Sequence, residues 1–272
     1  MKKILFSFLY IGLLNILCQP LRAQCTSENN AFKAGELLSY NLYFNWKFIW
    51  VTVGSAEMSI KDTTYNNEDA YRCHLITRGN KRADKLFVLR DTLVSVVSKE
   101  LTPYYYRKGA LEGDRYTVDE TWYSYPDGTT HVKQRFKTHR NEIRENAQKS
   151  NVCIYDMISM LLRARSFDAS TYKVGQKINF PMADNGKVEG QTLIYRGKKN
   201  FKMENSKTKY RCLVFSFVEY KDGKEKEVVT FYVTDDKNHL PVRLDMYLRF
   251  GSAKAFLTEA KGVRNPQTSI IQ

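Results

Sequence analysis

The chain has 272 residues, with 43 Lys and Arg against 29 Asp and Glu, a formal charge of +14 and 13% aromatic residues. In an exported protein so basic a balance points to anionic lipid head groups, polysaccharide or peptidoglycan. The chain carries no zinc-finger, helix-turn-helix or RNA-binding signature, so no nucleic-acid partner is expected.

Residues 1–23 read as a secretory signal peptide: Lys2 and Lys3 precede an apolar run from Ile4 to about Leu17, and Pro20 and the small Ala23 follow. The run is short of the roughly 20 apolar residues that span a bilayer, and no second one follows, so no transmembrane segment is expected. Leu17 before Cys18 and Gln24 before Cys25 are too large for lipoprotein processing. Cleavage after Ala23 removes Lys2, Lys3 and Arg22, lowers the charge from +14 to +11, and leaves residues 24–272 as a single β-rich domain expected in the periplasm. A chain of that length can bury a sizeable core without cross-links. Cys25, Cys73, Cys153 and Cys212 then remain, with no CxxC and no nearby His, so neither a redox motif nor a zinc site is indicated. An oxidising compartment permits one or two disulfides, and all three connectivities stay open.

Strand signals dominate from Leu37 onward. In NLYFNWKFIWV, period-two alternation puts Leu42, Phe44, Trp46, Phe48 and Trp50 on one face of one strand. YRCHLITR, FVLRDTLVSVVS, YYYRKGALE, YTVDETWYSY and HVKQRFKTH continue the pattern, with a hairpin turn in YPDGTT. RENAQKSN reads as a polar loop. Ile154, Met157, Ile158, Leu161 and Leu162 recur at helical spacing, with Asp156 early and Arg163 and Arg165 late, predicting one amphipathic helix over 152–166. Strands resume with QTLIYRGKKNF, YRCLVFSFVEY, EVVTFYVTD and PVRLDMYLRFGSAKAFLTEAKG, and KDGKEK supplies a turn.

Landmarks recur at nearly constant offset. Gly35 is answered by Gly175, Tyr71-Arg72-Cys73 by Tyr210-Arg211-Cys212, and Pro103 by Pro241. Two related halves, about 33–145 and 172–262, are therefore expected, joined by the helix. The predicted fold class is all-β and mainly antiparallel: a curved sheet or partly open barrel with the helix on its concave face.

Several motifs resemble the exported bacterial family known as domain of unknown function 3108. They are Gly35-Glu36-Leu37 with Tyr40, Gly54 with Ala56 and Met58, Phe87-Val88 with Arg90-Asp91-Thr92, Tyr155-Asp156 with Ser159 and Arg163, and Asp235-Asp236 with Pro241-Val242. The resemblance implies an exported all-β protein and brings no catalytic residues with it.

No hydrolase elbow, zinc-protease, phosphate-loop or dinucleotide motif occurs, and the four histidines are not grouped. No catalytic residue, metal or cofactor is expected. Asp119-Glu120 and Asp235-Asp236 read as solvated strand ends, since neighbours on a strand face opposite ways. Arg90 and Asp91 stand out because both charges lie in an apolar strand, where a buried charge needs a partner. The candidate ligand-binding residues are Phe44, Trp46, Phe48, Trp50, Arg90 and Asp91. The function expected is a non-enzymatic binding or carrier protein for an apolar or amphipathic envelope ligand, lipid-like or glycan. The alternatives are an envelope scaffold that binds another protein and a glycan hydrolase.

Overall fold

Alternation of apolar and polar residues over eight to seventeen positions forces extended chain, because only a strand places every second side chain on the same face. The computed structural model describes residues 25–46, 49–203, 208–248 and 251–271, apart from the side chain of Trp46; the expected signal peptide lies outside them. The strands are β1 (Leu37–Trp46), β2 (Ile49–Tyr65), β3 (Glu68–Gly79), β4 (Leu89–Ser98), β5 (Pro103–Glu112), β6 (Arg115–Ser124), β7 (Thr130–Lys137) and β8 (Ile143–Ser150). Helix α1 (Met157–Ala164) follows, then β9 (Lys177–Asp184), β10 (Lys187–Lys202), β11 (Lys209–Lys221), β12 (Lys224–Thr234), β13 (Pro241–Leu248), β14 (Gly251–Lys261) and the short β15 (Ile270–Ile271).

All belong to one antiparallel sheet in the order β8-β7-β6-β5-β4-β3-β2-β1-β14-β13-β12-β11-β10-β9, with β15 on β11. The chain starts at the centre, winds out to one edge, crosses through α1, and winds back from the other edge to the centre. The sheet does not close. The connection entering α1 reaches β9, where Tyr155 N–H donates to Pro181 O at 3.1 Å and Ala183 N–H to Tyr155 O at 2.7 Å. The helix spans fewer residues than its apolar spacing predicts because Cys153 to Tyr155 stay extended to make this link. RENAQKSN is not a loop: its residues pair along β7 as strand β8, from Lys137↔Ile143 to Thr130↔Ser150. Its charged, exposed side chains suit the outermost strand, where they discourage further pairing.

The helix is pinned at both ends. Asp156 caps its start, Oδ1 accepting from Ile158 N at 3.0 Å and Ser159 N at 2.8 Å, while Ser159 Oγ accepts from Asp156 N at 2.9 Å. Past its other end, Arg165 is fully buried and forks onto Glu36 at 2.5 and 2.9 Å. Its Nε and Nη2 also donate to Asn238 O at 3.2 and 3.0 Å. Between the pins, Ile158 and Leu162 pack with Leu42, Met58, Leu93 and Val97, and Met160 packs with Phe180 and Leu193.

Cys25 and Cys153 form a disulfide spanning 128 positions, while Cys73 and Cys212 are buried free thiols. Burial pushes the Cys212 thiol up to about 12 and the Cys73 thiol higher, so neither ionises near neutrality. The two Tyr-Arg-Cys runs thus supply core, on β3 and β11. Gly35 and Gly175 also sit in alike turns. Gly35 (φ 90°) and Gly175 (φ 88°) donate to Ile60 O and Tyr195 O, both at 2.8 Å, and the return bonds to Glu36 O and Gln176 O are both 3.0 Å. Reducing Cys25–Cys153 frees a long loop in the unfolded chain and is expected to cost about 2–5 kcal/mol. Thermal melts with and without reductant, against Cys25→Ser/Cys153→Ser, measure that loss.

Candidate functional site

The aromatic row does not form as the alternation suggests. The chain reverses after Trp46, so β1 and β2 are a hairpin with Asn45↔Trp50 and Phe44↔Val51 opposed. Cross-strand partners share a face, which puts Phe44 and Trp50 on opposite faces. Phe48 and the Trp46 side chain lie outside the described residues. Phe44 is half-buried, and its ring lies against Gly251, where a Cβ would come within 3.2 Å. Trp50 is 37% exposed with Lys254 Nζ 4.1 Å above its ring, and Ile49 beside it is 65% exposed.

Neighbouring turns bring more apolar surface to the same end of the sheet. Asn80 ties the β3–β4 connection to β2, its N–H donating to Val53 O at 2.8 Å and its side chain to Thr52 O at 2.7 Å. That connection carries Leu86, 82% exposed, and Phe87, which lies over the Gly113 turn. The β13–β14 hairpin, joined to β1 through Phe44↔Ala253, adds exposed Tyr247 and Leu248. Lys81, Arg82 and Lys85 are exposed among these turns.

Arg90 and Asp91 diverge. Arg90 forks onto Asp84 at 2.9 and 2.5 Å and donates to Leu89 O at 2.7 Å, which anchors the β3–β4 connection. Asp91 points to the interior, where burial, reinforced by Glu112 and opposed by Lys108, raises its carboxyl to about 6.

That interior holds a polar cluster that sequence reasoning missed. Asp119 is no solvated strand end: it is 1% exposed, Oδ2 accepting from Asn185 N at 2.6 Å. The pairings Ser95↔Tyr106↔Thr121 and Lys108↔Asp119 align these side chains on one face, and α1 delivers Asp156 to it, accepting from Ser95 Oγ at 3.2 Å and Tyr123 OH at 3.4 Å. Tyr106 OH, Thr121 Oγ1, Asp119 Oδ1 and Asp91 Oδ1 are buried without a hydrogen-bond partner among the described residues. Burial raises Asp119 and Asp156 to about 6 and raises Asp184 as well. The signal was available in period two, since Asp119 is in phase with Thr121 and Tyr123. Asp119 and Asp156 are sealed from any substrate. Asp235, the other expected solvated acid, pairs with Lys198 and Arg211, and Asp236 caps the turn at Asn238.

At the opposite end of the sheet, a polar cleft of about 490 Å³ is lined by Glu68, Asp69, Lys99, Glu100, Tyr104 and Tyr125 among others. Tyr104 is engaged there, its OH donating to Glu68 at 2.5 Å and its ring stacked on Tyr65. Among the described residues, no group of three or more His, Cys, Asp or Glu is arranged to hold a metal, and no helix is long and apolar enough to cross a membrane.

The fold has solved relatives. A β-barrel-like protein of domain of unknown function DUF1849 from Brucella abortus superposes with a TM-score of 0.53 at 10% identity, covering 86% of this chain and 100% of that one. A protein described as exported, with a YmcC-like fold, from Bacteroides fragilis scores 0.36 at 9% identity, covering 86% and 99%. A protein described as a lipoprotein from Parabacteroides distasonis scores 0.32 at 11% identity, covering 87% and 99%. At 10% identity the first likeness shows a shared barrel-like fold and nothing of activity, and the other two are weaker. No curated protein matches the chain. The model of the family described as protein of unknown function (DUF3108) matches residues 39–258, and the chain belongs to that family.

Proposed function

We propose that this is an exported, non-enzymatic envelope protein that engages an amphipathic envelope component through the rim of hairpin turns around Trp50, rather than carrying a ligand in its interior. The observation that carries this reading is the exposed apolar rim itself, Ile49, Trp50, Val51, Leu86, Phe87 and Leu248, set among lysines and arginines. A carrier needs a deep apolar cavity. Here α1 and the side chains around it occupy the concave face, with Ile154, Ile158, Leu162 and Tyr106 fully buried. A glycan hydrolase needs two carboxylates reachable across a cleft; Asp119 and Asp156 are sealed, and in the polar cleft at the far end Glu68 is engaged by Tyr104 OH, so the interior acids lend a hydrolase no support. The disulfide supports an oxidising compartment such as the periplasm. The matched turns at Gly35 and Gly175 support reading the two halves as one unit used twice.

Photo-crosslinking in living cells tests the reading. A benzophenone residue at Val51, on the rim, is expected to capture an envelope component, and one at Thr64, at the far end of β2, is not. Equal capture at both positions, or a stoichiometric apolar molecule extracted from the purified native protein, would overturn it.

A further inference from the structure

The rim's chemistry narrows its partner. Apolar side chains stand at the ends of separate turns: Ile49, Trp50 and Val51 on the β1–β2 hairpin, Leu86 and Phe87 on the β3–β4 connection, Leu248 on the β13–β14 hairpin. Apolar side chains from three separate connections are thus exposed at one end of the sheet. Such surface suits the membrane–water boundary, which indole rings favour because one edge is apolar and the other wet.

The charges beside the tips have one dominant sign. Lys81, Arg82 and Lys85 are exposed on the β3–β4 connection, and Lys254 stands over Trp50. The acid within that connection, Asp84, is neutralised by Arg90. Glu112 and Asp114, on the turn beside Phe87, are the nearby exposed acids, so the contact centres on the β1–β2 side. With residues 24–272 at +11, the long-range field has the same sign as this rim.

We infer that the rim docks on an anionic lipid bilayer, with Ile49, Trp50, Val51, Leu86 and Phe87 entering the head-group region and Lys81, Arg82 and Lys85 at the level of the lipid phosphates. The inference rests on the rim reading above and adds its partner. Apolar insertion and attraction to anionic lipid act together in such contacts, so neither alone holds the protein firmly.

The test uses the mature chain and vesicles of phosphatidylcholine with or without 30% phosphatidylglycerol, followed by co-sedimentation and tryptophan emission. Binding to the anionic vesicles, a blue shift that is smaller in Trp50→Phe, and release by 0.5 M salt are expected. Lys81→Gln/Arg82→Gln/Lys85→Gln should weaken partitioning at least about tenfold. Ile49→Asp/Val51→Asp should abolish the blue shift, with melting temperature and circular dichroism confirming that each variant is folded. The salt series needs no variant and stands if one misfolds. No partitioning onto anionic vesicles, or unchanged partitioning by the folded variants, would overturn the inference. Capture at Val51 of an envelope protein alone, with no vesicle binding, would sink the bilayer and leave the rim reading intact; failure of both removes both.

Discussion

Arg165→Ala is expected to lower stability by about 3–5 kcal/mol, the cost of leaving a buried charge without its partner. Arg165 and Glu36 are each only 1% exposed, so water cannot replace the lost fork. The arginine also closes the helix end onto Asn238, and His239 Nδ1 lies 2.6 Å from the Arg165 carbonyl oxygen. One change therefore loosens α1, the start of β1 and the β12–β13 turn together. At about 2–4 °C per kcal/mol for a chain of this size, the melting temperature should fall by about 10 °C. Glu36→Leu/Arg165→Met should recover much of the loss, because an apolar pair of similar volume carries no desolvation cost. Urea unfolding of the three proteins decides it. A loss below about 1 kcal/mol in Arg165→Ala would mean that the pair is reached by water.

Acidification from pH 7 to pH 5 is expected to stabilise the protein, the reverse of ordinary acid denaturation. Asp91, Asp119 and Asp156 have folded values raised by burial to about 6 from 3.8. A raised carboxyl binds its proton more tightly in the folded state. Each therefore penalises folding increasingly as pH rises from the unfolded value through the folded one, and by a constant amount above that. Asp84 and Asp168 are shifted downward by their hydrogen bonds to Arg90 and Ser170. Their contribution is lost only as pH falls below 3.8, outside the window; His74, held below its ordinary value by burial, opposes the trend inside it, one group against three. Thermal melts should peak near pH 5. Asp119→Asn keeps an oxygen for the Asn185 amide and removes the charge, so it should add about 1–3 kcal/mol at pH 7 and almost nothing at pH 4. Equal effects at both pH values would show that folding does not raise the Asp119 carboxyl.

The residues that carry the family resemblance are largely scaffold. Glu36 is the acid of the buried fork with Arg165, Asp156 caps the helix, and Asp236 holds the turn before Pro241. Their shared task is to hold one helix in the mouth of an open sheet. That explains how such a pattern can be recognisable without revealing a reaction.

Period-two alternation by itself determined the strands, because a half-buried sheet leaves that mark on every stretch it crosses. Helical spacing from Ile154 to Leu162 determined the single helix, and the turns at Asp127 and Asp222, both with positive φ, followed from Asp-Gly pairs. Alternation carries no direction, however, and could not show that the chain reverses after Trp46, which split the expected aromatic row between two faces. Nor could it show that β8, mostly polar, is a strand: β7 supplies its partner, and an edge strand needs backbone pairing more than apolar side chains. The cysteine pairing waited on the fold, since Cys25 and Cys153 are brought together only when the segment entering α1 is in place. The interior acids waited on it too. Asp119 looks solvated in its own segment, and only in the fold, where the turn between β9 and β10 brings the Asn185 amide onto it, is it taken out of water and its carboxyl raised.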